Sequence, residues 1–330
     1  MRRIDLGIKF GSNEIIIYRK GLGIIAKEPA FLAVDENGNK MKVKAYGKKA
    51  EKMFMSKSSS VTIYQPIKNS EIINEKMAIV LLSKILEDVL QDKFLLTKLN
   101  AVVAVPCAVP TKSLKILKNV LHKSGVSSVS FVQNAVCVRK NYELEENDYL
   151  MVVDIGKYIT DVSVLSANSF ETGRMHFYGG AKMDESITTF ISDNHGLLVS
   201  DETSEAVKNE IASLYDHDTY RTYYIGIDEN DKFVKHVISA NEVKVAIYNI
   251  YEKIVQLIQG VMNNLPKEIS KNVHKNGVVF VGGASSISGL FEFMSKKLDC
   301  PVIVPDDPSS SVVLGLGKLL NEKDYIKIEI

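Results

Sequence analysis

Apolar and polar positions along this chain follow a scheme that is laid down twice. Residues 4–34 read as short apolar strands interrupted by Gly7, Gly11, Gly21 and Gly23. Within them, Ile8-Lys9-Phe10-Gly11-Ser12-Asn13-Glu14 runs into Ile15-Ile16-Ile17-Tyr18, which predicts strand, tight polar turn, strand. Residues 35–70 are polar and basic, with a turn at Asp35-Glu36-Asn37-Gly38 and a loop at Lys57-Ser58-Ser59-Ser60. Met77, Val80, Leu81, Ile85 and Val89 recur at helical spacing, so a helix over 75–91 is expected to face a core. The continuous run Ala101-Val102-Val103-Ala104-Val105-Pro106 predicts a strand buried on both faces. Thr111 follows Pro110 and precedes an amphipathic stretch from Leu114 to Leu121, as an N-cap would.

The second half restates this order. Met151-Val152-Val153-Asp154-Ile155-Gly156-Lys157-Tyr158-Ile159-Thr160-Asp161-Val162-Ser163-Val164 predicts another hairpin over 150–165. Helices are expected over 183–194 and 201–214, then an irregular β-containing stretch over 217–240 that holds Tyr220, Tyr223, Tyr224 and Ile225. Ser239-Ala240-Asn241-Glu242 introduces a long amphipathic helix carrying Val243, Ile247, Ile250, Ile254, Ile258 and Val261, ending near Asn264. Gly277 to Ser286 reads as buried strand and glycine turn, followed by a helix over 288–298. Strands alternating with helices imply an α/β architecture, and the repetition implies a duplicated domain with a cleft between the copies.

At 330 residues, the chain is long enough for two domains. The balance of 45% hydrophobic and 25% charged residues suits a globular protein, and a formal net charge of +1 gives no global field toward nucleic acid. Lys40-Met41-Lys42-Val43-Lys44 and Lys48-Lys49 read as solvated faces. Cys107, Cys137 and Cys300 are scattered without CxxC spacing, which argues for a reducing cytosol and against a disulfide framework or zinc site. No apolar run reaches the ~18 residues of a spanning helix, and the N-terminus lacks a signal-peptide core.

Further landmarks accompany the hairpins. They are Lys27-Glu28-Pro29-Ala30 before a strand, Val103-Ala104-Val105-Pro106, Tyr178-Gly179-Gly180-Ala181-Lys182-Met183-Asp184-Glu185, and Glu205-Ala206-Val207-Lys208-Asn209-Glu210-Ile211. Val281-Gly282-Gly283-Ala284 follows, then Pro301-Val302-Ile303-Val304-Pro305-Asp306-Asp307-Pro308 and a terminal helix ending in Gly315-Leu316-Gly317-Lys318. Any one of these is an ordinary turn or a solvated helix face. In this order, over nearly the whole chain, they resemble the MreB family of bacterial actin homologues, within the actin/Hsp70/sugar-kinase superfamily.

The resemblance implies a duplicated actin-like (ribonuclease H-like) fold. Domain I would comprise residues 1–145 plus about 309–330, with a small subdomain near 30–70; domain II would comprise 146–308, with a small subdomain near 182–240. ATP or ADP with Mg²⁺ would lie in the interdomain cleft. Carried over residue by residue, Gly11, Ser12 and Asn13 would turn backbone N–H groups toward the β/γ-phosphates, and Asp154 and Gly156 would act comparably from the second hairpin. Such turns suit an anion because successive N–H groups converge on it without a bulky Cβ nearby. Glu205 and Lys208, three apart on one helix face, would meet ribose and adenine. Gly282, Gly283, Ala284, Ser285 and Ser286 would hold the nucleoside from the opposite wall.

Several positions depart from the family pattern. Lys9 stands where the family has an Asp that helps hold hydrated Mg²⁺, so Mg²⁺ binding is doubtful, and the ammonium is free to pair with phosphate oxygens directly. Gly156-Lys157-Tyr158-Ile159 replaces three glycines and a Thr; Lys157 adds positive charge, and Ile159 removes a hydroxyl that would orient water. Gln133 or Asn134 occupies the place of the carboxylate that positions or deprotonates the attacking water. An amide orients water but cannot take its proton near neutral pH. The expected protein binds nucleotide and hydrolyses it weakly or not at all.

The resemblance also implies assembly of this chain with itself into filaments, with paralogous actin-like subunits as further partners, a role in cell shape, and a cytoplasmic location peripheral to the membrane. Phe94, Leu95 and Leu96, between Lys93 and Lys98, match a family loop that dips into the inner leaflet, and apolar groups flanked by ammonium groups suit that interface. The same three residues read equally well as a core cap on the sheet edge. The rival activity is a sugar- or acetate-kinase-like phosphotransferase, which needs a carboxylate base that 133–134 do not supply. An Hsp70-like chaperone would need a peptide-binding domain, and a C-terminal membrane helix is disfavoured because residues 323–330 alternate like a strand.

Overall fold

The computed structural model describes all residues except 1–2, 37–40, 57–60, 69–70, 92–96, 146–147, 217–218, 323–324 and 330. The chain begins with β1 (Arg3–Phe10), β2 (Glu14–Arg19), β3 (Gly23–Pro29), β4 (Leu32–Asp35), β5 (Lys42–Tyr46), α1 (Gly47–Met55) and β6 (Thr62–Tyr64). It continues through β7 (Ile67–Lys68), β8 (Glu71–Ile72), α2 (Glu75–Val89), β9 (Lys98–Val105), α3 (Thr111–Lys123), β10 (Ser128–Gln133) and α4 (Asn134–Arg139). The next elements are β11 (Leu150–Ile155), β12 (Thr160–Leu165), β13 (Phe170–His176), α5 (Gly180–His195), α6 (Asp201–Ile211), β14 (Arg221–Ile227) and β15 (Phe233–Ser239). Then come α7 (Ala240–Met262), α8 (Lys267–Asn276), β16 (Val278–Val281), a 3-10 turn (Gly283–Ser286), α9 (Leu290–Leu298), β17 (Val302–Ile303) and α10 (Ser311–Leu319).

Two five-stranded sheets share one construction, β10-β9-β1-β2-β3 and β13-β12-β11-β16-β17. In each, an antiparallel hairpin (β1–β2 or β11–β12) is extended by parallel strands: β9 and β10 in the first, β16 and β17 in the second. The duplicated α/β plan read from the sequence is therefore the plan of the fold. The chain divides into two compact units, Met1–Glu143 with Asn168–Phe170 and Ser310–Ile330, and Leu144–Ala167 with Glu171–Ser309.

In the first unit, the two-residue period of β1 sends Ile4, Leu6 and Ile8 into the core built by α2 and α3. Gly7 and Lys9 take the other face, where α10 lies; a Cβ on Gly7 would stand 3.0 Å from Leu316 Cβ. α10 comes close enough to α4 that a Cβ on Gly315 would sit 1.8 Å from the Cys137 carbonyl oxygen. A small antiparallel sheet, β5-β4-β6, packs with α1 over its own cluster around Phe31, Ala33 and Ala50. In the second unit, Met151, Val153 and Ile155 join the core formed with α5, α6, α7 and α9, so Asp154 takes the opposite face of β11. The α7 helix begins where expected, with a capping box in which Ser239 and Glu242 are bonded reciprocally.

Some local expectations differ from the structure. Thr111 is the first helical residue of α3, and the N-cap is Pro110, whose fixed φ suits the entry to a helix. The stretch over 217–240 contains a regular hairpin: Thr222 and Tyr224 face inward, while outward Tyr223 and Ile225 are also large and apolar, which hides the alternation. The helix expected from 288 begins at Leu290, because Gly289 adopts φ 79° and interrupts the turn before it. The short helices α1, α4 and α8 do not stand out in the sequence pattern. Ile328 bridges back to Phe131. Phe94, Leu95 and Leu96, with Asn37-Gly38 and Lys57-Ser58-Ser59-Ser60, lie outside the described residues.

Candidate functional site

The two glycine hairpins close by the same bond. Gly11 N–H donates to the Glu14 carbonyl at 3.1 Å, and Gly156 N–H donates to the Ile159 carbonyl at 2.9 Å. A side chain at Gly11 would meet the Glu14 oxygen at 2.9 Å, so the closure needs glycine there. Asn13 is pinned through its carbonyl, which accepts Ala30 N–H at 3.1 Å. This equivalence aligns Lys9 with Asp154, each two residues before its hairpin glycine and each on the sheet face opposite the main cluster. One copy therefore presents an ammonium where the other presents a carboxylate.

In the first unit, Lys9 lies beside Ala104 on β9, and Ala104 lies beside Val132 on β10. Gln133 follows at the strand's end and is the N-cap of α4, with Asn134 as its first residue. Lys9, the Gly11 turn, Gln133 and Asn134 thus share the end of the sheet at the carboxyl termini of its parallel strands, where α/β sheets bind ligands. Gln133 Oε1 is shielded from solvent and has no hydrogen-bond partner among the described residues. Burial pushes the Cys137 thiol in α4 well up, and Lys9 is the foremost charge opposing that rise.

In the second unit, Gly282 has φ 88°, and a Cβ there would stand 2.3 Å from Asp154 Oδ1 and 2.5 Å from the Ile155 carbonyl oxygen. Glycine is the only residue that lets the turn after β16 approach the hairpin so closely. Gly282 N–H is held by the Pro308 carbonyl at 2.9 Å. Gly283 faces open space. The Ala284 carbonyl accepts the Tyr251 hydroxyl at 2.9 Å, and the buried Ser285 hydroxyl is spent on the Val281 carbonyl at 2.6 Å. Ser286 is exposed and lines a separate cleft of about 380 Å³ with Tyr215, Phe291 and Pro305. The residues 283–286 form a 3-10 turn rather than a helix N-terminus, so an anion there would not meet a helix dipole.

A chain of alternating charges runs beside the second hairpin. Lys157 Nζ is 3.1 Å from both carboxylate oxygens of Glu205 on α6. One turn along α6, Lys208 Nζ donates to Asp184 Oδ1 at 2.6 Å and to the Gly180 carbonyl at 3.1 Å. Burial pulls the Lys157 ammonium down, and the Glu205 carboxylate more than offsets it, so its pKa stands above the ordinary lysine value. Burial pushes Asp184 up to about 6 even though Lys208 opposes it. The hairpin also caps α5: the Gly156 and Lys157 carbonyls accept Gly180 and Ala181 N–H at 3.0 and 2.7 Å. Those first N–H groups of α5 are therefore taken. The Gly179-Gly180 pair permits this, since a Cβ on Gly179 would lie 2.6 Å from the Gly156 carbonyl oxygen.

Sequence reasoning gave binding roles to Lys157, Glu205 and Lys208 but named Gly180 and Asp184, which complete their network, only within a landmark segment. Tyr178 accepts the Thr160 hydroxyl through its carbonyl. The signal was present in Gly179-Gly180 and in Asp184 one turn into α5, but their partners come from elements far along the chain.

The protein-family model described as MreB/Mbl protein matches residues 3–328. The chain is 27% identical over 326 residues to the cell shape-determining protein Mbl of Bacillus subtilis, covering 98% of this chain and 97% of the relative. It is 26% identical to the cell shape-determining protein MreB of Escherichia coli K12, covering 97% and 94%. Among solved structures, MreB5 of Spiroplasma citri bound to ADP superposes with a TM-score of 0.87 at 22% identity, over 95% of this chain and 94% of that one. A MamK double helical filament gives 0.83 at 20% identity, over 98% and 100%. These likenesses establish the actin-like fold. With the same hairpin closed twice and a family match from one end of the chain to the other, the chain belongs to the MreB/Mbl family of actin-like, cell shape-determining proteins.

Proposed function

We infer that this chain is a cytoskeletal subunit that binds ATP or ADP as a structural ligand, assembles with itself into filaments, and turns the nucleotide over slowly or not at all. The observation that carries nucleotide binding is the repeated closure at Gly11 and Gly156, a turn form whose successive N–H groups would suit an anion. The crowding of Gly282 on Asp154 supports it, because that turn tolerates no side chain where backbone must come close. Lys9, Ser12, Asn13 and Lys157 would serve the phosphates, and Glu205 with Gly283 the nucleoside. MreB5 of Spiroplasma citri has been crystallised with ADP and with AMPPNP, which favours the same ligand class here.

Poor turnover rests on Gln133 and Asn134. Gln133 Oε1 is buried without a protein partner among the described residues and suits a water, yet an amide cannot accept that water's proton. Lys9 weighs against Mg²⁺ at the first hairpin, because it puts a like charge there.

The filaments would be antiparallel pairs at the cytoplasmic face of the membrane, open to paralogous subunits, with Phe94 to Leu96 touching the inner leaflet. Among the described residues, no helix is long and apolar enough to cross a membrane, so such contact would be peripheral. The test is electron microscopy of the purified protein with ATP, ADP or neither, alongside a phosphate-release assay with and without Mg²⁺. Filaments with little phosphate release are expected. Monomers under every condition, or Mg²⁺-dependent phosphate transfer to a sugar or acetate, would defeat the reading.

A further inference from the structure

The Lys157 ammonium is committed to Glu205, although the nucleotide reading would put a phosphate at its own turn. Its backbone sits in the turn between β11 and β12, where the hairpin would meet a phosphate, yet its ammonium is folded onto α6 and grips both oxygens of Glu205 at 3.1 Å. The pair is partly shielded, with side chains 22% and 33% exposed. Glu205 is the carboxylate that a ribose would use, because a carboxylate accepts two neighbouring hydroxyls at once. While Lys157 holds it, both oxygens are engaged. The network also fixes where Lys157 can go. Lys208 is tied to Asp184 and the Gly180 carbonyl, so it cannot take over Glu205 without breaking a shorter contact. The hairpin backbone is tied to α5 through Gly180 and Ala181, so Lys157 moves by its four-carbon side chain alone.

Resting on the nucleotide reading above, we propose that Lys157 is a specificity-determining residue that shields Glu205 from unphosphorylated nucleosides and releases it only when a phosphate chain takes the ammonium. A nucleoside competes with Lys157 for the Glu205 oxygens and offers nothing to the cation it displaces. A nucleoside di- or triphosphate breaks the same pair and supplies phosphate oxygens in exchange. The site thereby reads the phosphate chain through its sugar contact, and Lys157 adds discrimination that the glycine turns alone do not provide.

Isothermal titration of ATP and adenosine against the full chain and its Lys157→Met and Lys157→Arg variants tests this. In Lys157→Met, ATP should bind about tenfold more weakly, because a charge-assisted bond to phosphate is lost. Adenosine should bind about two- to fivefold more tightly, because Glu205 is no longer held. Lys157→Arg, which pairs with a carboxylate through two parallel bonds, should return adenosine to the weaker binding of the unaltered chain. Shifts of opposite sign for the two ligands cannot arise from a general loosening of the fold. Both ligands weakening together in Lys157→Met, or adenosine binding unchanged, would overturn the shielding role while leaving nucleotide binding intact. Failure of the unaltered chain to bind ATP would overturn the nucleotide reading and this role with it.

Discussion

Gly282 and Asp154 are packed so tightly that a methyl group on the first would stand 2.3 Å from a carboxylate oxygen of the second. The contact joins the turn after β16 to the strand that feeds the second hairpin, and it exists because Gly282 holds φ at 88°. Gly283, the next residue, has no such φ, and a methyl group added there would meet nothing within 4 Å.

This difference predicts unequal costs. Gly282→Ala should destabilise the protein by about 2–4 kcal/mol, from left-handed backbone strain and overpacking together. Gly283→Ala should change stability by less than about 0.5 kcal/mol. Urea unfolding of both variants measures the contrast, and equal midpoints would contradict it.

A glycine in the first unit makes the same point. Gly315→Ala would drive a methyl group to 1.8 Å from the Cys137 carbonyl oxygen, forcing α10 away from α4. A loss of about 1–3 kcal/mol or more is expected, and it should appear as a lower midpoint in thermal or urea unfolding.

Restoring a carboxylate should restore chemistry if turnover is limited where proposed. Gln133→Glu or Asn134→Asp should raise phosphate release from ATP by about tenfold or more, since a general base typically contributes ~10²–10⁴-fold. A rate equal to that of the unaltered chain for both variants would place the limit elsewhere, Lys9 being the next position to change.

Asp184 gives the stability a pH dependence of unusual sign. Its folded pKa is raised to about 6 from an ordinary 3.8, so the folded state holds the proton more tightly than the unfolded chain. The stabilisation is complete below the unfolded value and is lost as pH rises through the folded one. Between pH 3.8 and about 6 this group should therefore lower stability by up to about 3 kcal/mol, against the rise expected from carboxylates with depressed values such as Glu242. Unfolding free energies across that range should show a steeper rise for Asp184→Asn than for the unaltered chain. Parallel curves would refute the assignment.

The Phe94, Leu95 and Leu96 segment makes a separate prediction from sequence alone. Replacing Phe94 and Leu95 by Ser should abolish pelleting with anionic liposomes while leaving filament formation unchanged. Undiminished pelleting would remove the membrane contact.

Elements whose residues face one environment were legible in the chain. β9 and β11 are buried along most of their length and carry the apolar runs Ala101–Val105 and Leu150–Val153, and α7 shows its stripe from Val243 to Val261 with Ser239 and Glu242 marking its start. The β14–β15 hairpin was legible only as an irregular β-containing stretch, because Tyr223, Ile225 and Phe233 are exposed although they are large and apolar. Short α1 and α8 were missed for want of length, since a helix of nine or ten residues offers few turns of periodicity to read.

By itself, the sequence determined the duplicated hairpins, the order of elements, and the amides at 133 and 134, because these are properties of contiguous residues and of local hydrophobic period. Only the tertiary structure decided what each polar group is bound to. Lys157 is held by Glu205, 48 residues away; Lys208 by Asp184, 24 away; and Ser285 by the Val281 carbonyl at the end of β16. Hydrogen bonds and ion pairs act over about 3 Å of space, and the sequence says which residues carry charge, not which ones the chain returns to that distance.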